Sequence, residues 1–114
     1  MTDLRNLTQR IVAFREARDW AQFHTPRNLA ASLSIEAAEL LEIFQWDLDE
    51  GRTLEPDRRE RMAEELADIG IYALLLAHET GIDLGRAMTD KIAQNERKYP
   101  VEKARGRSTK YTEL

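Results

Sequence analysis

Six carboxylates fall on two stretches of this sequence at spacings that a helix would turn to one side. SIEAAELLEIFQW carries Glu36, Glu39 and Glu42, and EELADIGIYALLLA carries Glu64, Glu65 and Asp68. Helical residues three apart project from one face, with Cβ atoms about 5–6 Å apart. At the helical period, Glu36 falls inside the arc of an apolar stripe made by Leu29, Leu33, Ala37, Leu40 and Phe44, and Glu39 lies on its margin. Glu65 and Asp68 flank a second stripe of Met62, Leu66, Ile69 and Ala73. If the two helices pack together, Glu36, Glu39, Glu65 and Asp68 converge.

Four converging carboxylates cannot all stay ionised unless protons are taken up or cations are bound. Oxygen-only ligands select a hard ion such as Mg²⁺. That ion commonly divides its coordination between a few carboxylates, water and substrate phosphates, so the pattern points to a phosphorylated substrate. The same spacing also fits two solvated acidic faces, in which case the chain is a non-catalytic helical interaction module. A di-iron carboxylate bundle is excluded, because it needs Glu-x-x-His pairs. The residues three before His24 and His78 are Ala21 and Leu75.

The elements that must position these groups read as an all-α chain. Leu4, Leu7, Ile11, Phe14 and Arg18 predict a first helix from Asp3 or Leu4 to Trp20. Thr25 and Pro26 open a second helix reaching Phe44 or Trp46. DLDEGRTLEPD is a loop. Pro56 and Asp57 begin a third helix that runs to Thr80, with Gly81 as its C-cap. Asp83 caps a fourth helix ending near Tyr99, and Pro100 blocks its continuation. The sequence thus predicts a four-helix bundle over 1–100, followed by a polar tail over 101–114 that is mobile or drapes over a neighbour. The third helix is apolar nearly all round, which a domain this small cannot cover alone, so a second subunit is expected against it.

The 114 residues suit one compact domain. With no cysteine, disulfides, thiolate metal sites and thiol nucleophiles are all ruled out, and two histidines are too few for most His-rich metal sites. The uncharged run Ile69–Ala77 is about half of what a membrane span needs, and MTDLRNLTQR lacks a signal-peptide pattern, so a cytoplasmic protein with no membrane partner is expected. A net charge of −4 argues against a nucleic-acid duplex as partner. It leaves room for a small anion held through a cation.

Lys91, Asn95, Lys98 and Tyr99 share one face of the fourth helix, where they read either as phosphate contacts or as a solvated basic helix end. Trp20, His24 and Trp46 lie at helix ends. They read as packing anchors or as a flat slot for a base with directional hydrogen bonds. Tyr72 lies one turn after Asp68, and His78 has no motif around it.

E-x-x-E on one helix followed by E-x-x-D on the next resembles the all-α nucleotide pyrophosphohydrolase (MazG-like) superfamily. FREARDWAQFHTPRNLA, EIFQW, IDLGRAM, KIAQNERKYPVEKARG and KYTEL are similar to its dCTP pyrophosphatase branch, and the likeness extends over about residues 4–114. The SIEAAE segment departs from a glycine-bearing pattern common in the family, while its carboxylates stay in place. The resemblance implies a Mg²⁺-dependent enzyme that cleaves a nucleoside triphosphate between the α and β phosphates. Its product would be dCMP plus pyrophosphate from dCTP or 5-substituted dCTPs, in control of the nucleotide pool; another base, as in dUTP or a modified nucleotide, is the alternative. By the same resemblance Glu36, Glu39, Glu65 and Asp68 are the metal ligands and catalytic groups. Trp20, His24 and Trp46 surround the pyrimidine, Tyr72 lies near the sugar, and Lys91, Asn95, Lys98 and Tyr99 meet the phosphates. Members of the family assemble as dimers or tetramers.

Overall fold

Three of the helices begin where a side chain takes up an orphan backbone donor. The Asp3 carboxylate accepts from the Asn6 N–H at 2.8 Å and starts α1 (Leu4–Glu16). The Thr25 hydroxyl accepts from the Asn28 N–H at 3.2 Å and starts α2 (Pro26–Glu42), with Pro26 in its first turn. Asp83 accepts from the Arg86 N–H at 3.0 Å and starts α4 (Leu84–Lys98). Between them, α3 (Pro56–Thr80) is the longest element, and it ends on Gly81 at φ 69°, a left-handed conformation that glycine adopts without strain. This computed structural model describes residues 3–114, and every element among them is helical.

Two boundaries differ from the sequence expectation. The first helix stops at Glu16 rather than Trp20, because Asp19 turns to φ 54° and the Trp20 N–H returns to the Arg15 carbonyl at 3.0 Å. A short 3-10 turn, Ala21–Phe23, then leads into α2. The second helix stops at Glu42, and Trp46 takes φ 68°. Gly51 follows in the loop, packed so closely under Phe44 that a Cβ there would lie 2.8 Å from the ring. The loop is tied by Asp49, whose carboxylate accepts from the Gly51 and Thr53 N–H groups at 3.1 and 3.0 Å. Thr53 above all holds the Asp49 carboxyl below its ordinary value. Arg58 in the first turn of α3 pairs with Asp47.

The chain divides into two compact units, Met1–Ile82 and Asp83–Leu114. In the first, α2 and α1 both pack on α3 around a small core of Leu29, Ile43, Leu74, Leu75 and Ala77. The inward face of α2 runs through Leu29, Leu33, Glu36, Leu40 and Ile43, whereas Ala37, expected in the stripe, is exposed. On α3 the half-buried line is Arg58, Met62, Glu65, Ile69, Tyr72 and Leu76, a spacing of alternating fours and threes. Leu66, expected on that line, is 51% exposed. On α1 the inward position belongs to Arg15 instead of Phe14 or Arg18: Phe14 is half exposed, and the Arg18 guanidinium lies 3.7 Å from its ring centre.

The second unit holds α4, a short helix α5 (Val101–Ala104) and a terminal 3-10 turn, Tyr111–Glu113. The tail therefore carries structure that its polar composition did not indicate. Tyr111 sets its ring edge-on to Tyr99 at a centroid distance of 5.9 Å, and the Lys98 ammonium lies 4.7 Å from the Tyr111 ring. No helix among the described residues is long and apolar enough to cross a membrane.

So small a core should depend heavily on its best-buried member. Leu29 is only 1% exposed, and Leu29→Ala is expected to remove about 3 kcal/mol of stability, read as a lower urea midpoint at unchanged slope.

Candidate functional site

The site grows from the two helical faces just described. Glu36 lies on the inward line of α2, and Glu65 on the inward line of α3 with Asp68 at its edge. One carboxylate oxygen from each of Glu36, Glu65 and Asp68 can be chosen so that all three lie within 4.8 Å of one another. The Oε2 atoms of Glu36 and Glu65 are buried without a hydrogen-bond partner. None of the ion pairs among the described residues reaches these three groups. Glu39 is exposed one turn along α2 and adds its charge beside Glu36.

Crowding has a direct electrostatic consequence. The Glu36 carboxyl is raised from its ordinary value of 4.5 to about 7. Contact with the Glu65 carboxyl is the largest cause, followed by burial, then by Glu39 and Asp68. The site thus holds a proton or a cation near neutral pH. Opposed oxygens on a Mg²⁺-sized ion stand about 4.2 Å apart, so three oxygens within 4.8 Å need only a small side-chain adjustment to share one. The donor set, all carboxylate with two unpartnered buried oxygens, fits a hard divalent cation.

A cavity of about 230 Å³ adjoins this cluster within the same unit. Ile11, Ile71 and Leu75 give it apolar walls, the rings of Phe14, Trp20 and Tyr72 flat ones, and Arg15, His24 and Asp68 its polar groups. Asp68 belongs to both the cavity and the carboxylate cluster. The turn after α1 is what brings Trp20 and His24 there, with Trp20 edge-on to Phe14 at 5.7 Å.

Of the residues singled out by sequence, Glu36, Glu65 and Asp68 come together, and Trp20, His24 and Tyr72 line the cavity with Asp68. Trp46 does not line it and is 87% exposed. Lys91, Asn95, Lys98 and Tyr99 lie in the second unit, where the Lys91 ammonium donates to the Gln94 side-chain oxygen at 3.0 Å. His78 is exposed. Arg15 was missed. A basic residue four after Ile11 on an inward stripe was the available signal, and Phe14 was read as the inward residue in its place.

A sequence model of the MazG-like family matches residues 31–114. The chain is 44% identical over 104 residues to dCTP pyrophosphatase 1 of Rattus norvegicus, with 89% of this chain and 61% of that protein covered. The corresponding human protein, of Homo sapiens, gives the same identity and the same coverage. The chain thus spans 61% of the length of these curated relatives. A solved structure of a pyrophosphatase from Archaeoglobus fulgidus DSM 4304 superposes with a TM-score of 0.74 at 41% identity, covering 88% of this chain and 94% of that one.

The raised Glu36 carboxyl sets a pH dependence. Without a cation, folded Glu36 keeps its proton up to about pH 7, whereas the unfolded chain loses it near 4.5. The folded state binds more protons in between, so this contribution is complete below 4.5 and is lost as pH rises through 7. In chelator-treated protein the melting temperature should fall across that window, and Glu36→Gln should flatten the fall.

Proposed function

The chain belongs to the MazG-like family, and from that premise we propose that it hydrolyses dCTP, and 5-substituted dCTPs, to the monophosphate and pyrophosphate with Mg²⁺. One observation carries the proposal. Three clustered carboxylates, two with unpartnered buried oxygens, share Asp68 with an aromatic cavity. A charged phosphate chain and a flat base need those two environments side by side.

In this reading Glu36, Glu39, Glu65 and Asp68 hold the cation. When bound, Mg²⁺ would neutralise the phosphates and lower the pKa of a water. The protein supplies the rest. The buried oxygens of Glu36 and Glu65 are fixed before substrate arrives, so little reorganisation accompanies binding. Trp20 and Tyr72 give the base and sugar flat apolar contact, and His24 gives a directional hydrogen bond. The tyrosine ring, one turn beyond Asp68, crowds the position of a 2′-hydroxyl. Lys91, Asn95, Lys98 and Tyr99 are assigned to the phosphates on the family match, as is Trp46 to the base. The substrate is a free nucleotide rather than a nucleic acid, in keeping with the net charge of −4.

The reading extends to assembly as a dimer or tetramer in the cytoplasm. Ile35 and Leu41 on α2 and Leu66 on α3 are 58%, 72% and 51% exposed, more apolar surface than two helices usually leave to water. Light scattering should give a multiple of the 13.2 kDa chain mass.

A triphosphate panel assayed for pyrophosphate release tests the enzyme. dCTP should turn over fastest, only with Mg²⁺, and Glu65→Gln or Asp68→Asn should lower kcat at least a hundredfold in a folded protein. Equal rates on all four deoxynucleotides would defeat the cytosine assignment. Orthophosphate as product would place cleavage at the γ position, and full activity in either variant would remove the metal site.

A further inference from the structure

Arg15 is the one charged residue buried among those described, 3% exposed. Its guanidinium contacts Glu79 and His24, and its Nε lies 3.5 Å from a Glu16 carboxylate oxygen. Nη2 donates to Glu79 on α3, and Nη1 lies 3.5 Å from Nδ1 of His24. The Nε atom is buried without a hydrogen bond. Arg15, His24, Trp20 and Tyr72 all line the same cavity. The Arg15 carbonyl also accepts from the Trp20 N–H, so this residue shapes the turn as well as the polar wall.

A guanidinium has five N–H donors and no lone pair to offer. Its contact with an imidazole nitrogen therefore runs in one direction, with Nδ1 of His24 as acceptor. An imidazole accepting at Nδ1 carries its proton on Nε2. We propose that Arg15, anchored by Glu79, is a positioning residue that fixes His24 as an Nε2–H donor and so makes the cavity select cytosine over uracil. Both bases accept at O2, but cytosine offers a lone pair at N3, so an Nε2–H aimed at N3 tells them apart. Uracil carries a hydrogen on N3, and an N–H facing an N–H leaves two buried donors unpaired. The opposite tautomer of His24 would present a lone pair on Nε2 and reverse the preference. The inference rests on the cavity being the base site.

The Arg15–Glu79 pair also joins α1 to α3, and a purely structural role must be separated from this one. Arg15 is the buried member of this part-buried pair, and replacing such a pair with apolar side chains of similar length often leaves stability unchanged or raised. Arg15→Met/Glu79→Met therefore removes the donor to His24 while keeping the helices packed. Its ratio of kcat/KM for dCTP over dUTP, with Mg²⁺, should fall about tenfold, the worth of one directional hydrogen bond. An unchanged ratio in a double variant with native circular dichroism would overturn the proposal.

A second readout needs no catalysis and no change at Arg15. Long-range ¹H–¹⁵N spectra of the histidine ring, recorded with His78→Gln so that His24 alone contributes, should show the Nε2–H tautomer. The double variant should show a mixture. An Nδ1–H ring beside an intact Arg15 would overturn the proposal. A wild-type protein that hydrolyses neither nucleotide would instead sink the reading of the site as an enzyme, and the ring spectrum alone would then decide the part played by Arg15.

Discussion

The structure depends on placing a glutamate where the packing of α2 on α3 would favour an aliphatic side chain. Glu36 occupies the inward line of α2 between Leu33 and Leu40, facing Glu65 from the corresponding line of α3. Two carboxylates brought together with little water cannot both ionise freely, and the Glu36 carboxyl rises to about 7 as a result. Leucine at either position would enlarge the small core and relieve the repulsion. Retaining acids there weakens the fold and leaves a place that a cation would stabilise, which would link binding and folding through the same two side chains.

Asp68 extends that constraint to the cavity. It is exposed where Glu65 is half-buried, because the helical period carries it to the edge of the α2–α3 contact and toward α1. One turn further, Tyr72 returns to the inward line and forms a cavity wall. A single helix therefore presents acid to one neighbour and rings to the other. The run from Glu65 to Tyr72 covers about 10 Å of axis at the helical rise. That is the scale on which a nucleotide separates its phosphates from its base.

Much of this was legible in the sequence. Caps at Thr25, Gly81 and Asp83 announce themselves by residue type, since side-chain acceptors and a glycine are preferred at those positions. The convergence of Glu36 with Glu65 and Asp68 follows from the helical period once α2 packs on α3, while Glu39, expected with them, stays outside the cluster. Phase errors account for most of what was missed. On α1, Phe14 and Arg15 stand about 100° apart, one on each side of the stripe through Leu4, Leu7 and Ile11, and hydrophobicity favours the ring as the inward one. The buried arginine wins because Glu79 and His24 satisfy two arms of its guanidinium, information that resides on α3 and beyond a turn. The premature end of α1 depends on a left-handed Asp19, which no local pattern demands. In the tail, ring contacts between Tyr99 and Tyr111 supply order that polar composition conceals.

Arg15 and Glu36 present the same problem within the first unit. Each is a charged group placed on an inward helical line, and each would be replaced by an aliphatic residue if stability alone were selected. Their solutions differ. Arg15 finds its counter-charge within the fold, so its cost is met on folding and its geometry is fixed in advance. Glu36 finds only other acids, so its cost is deferred until a proton or a cation arrives. A base that must be discriminated by hydrogen-bond direction calls for the first kind of site, rigid before binding. A phosphate chain that arrives with its own metal suits the second, in which charge is left uncompensated until the ligand completes it.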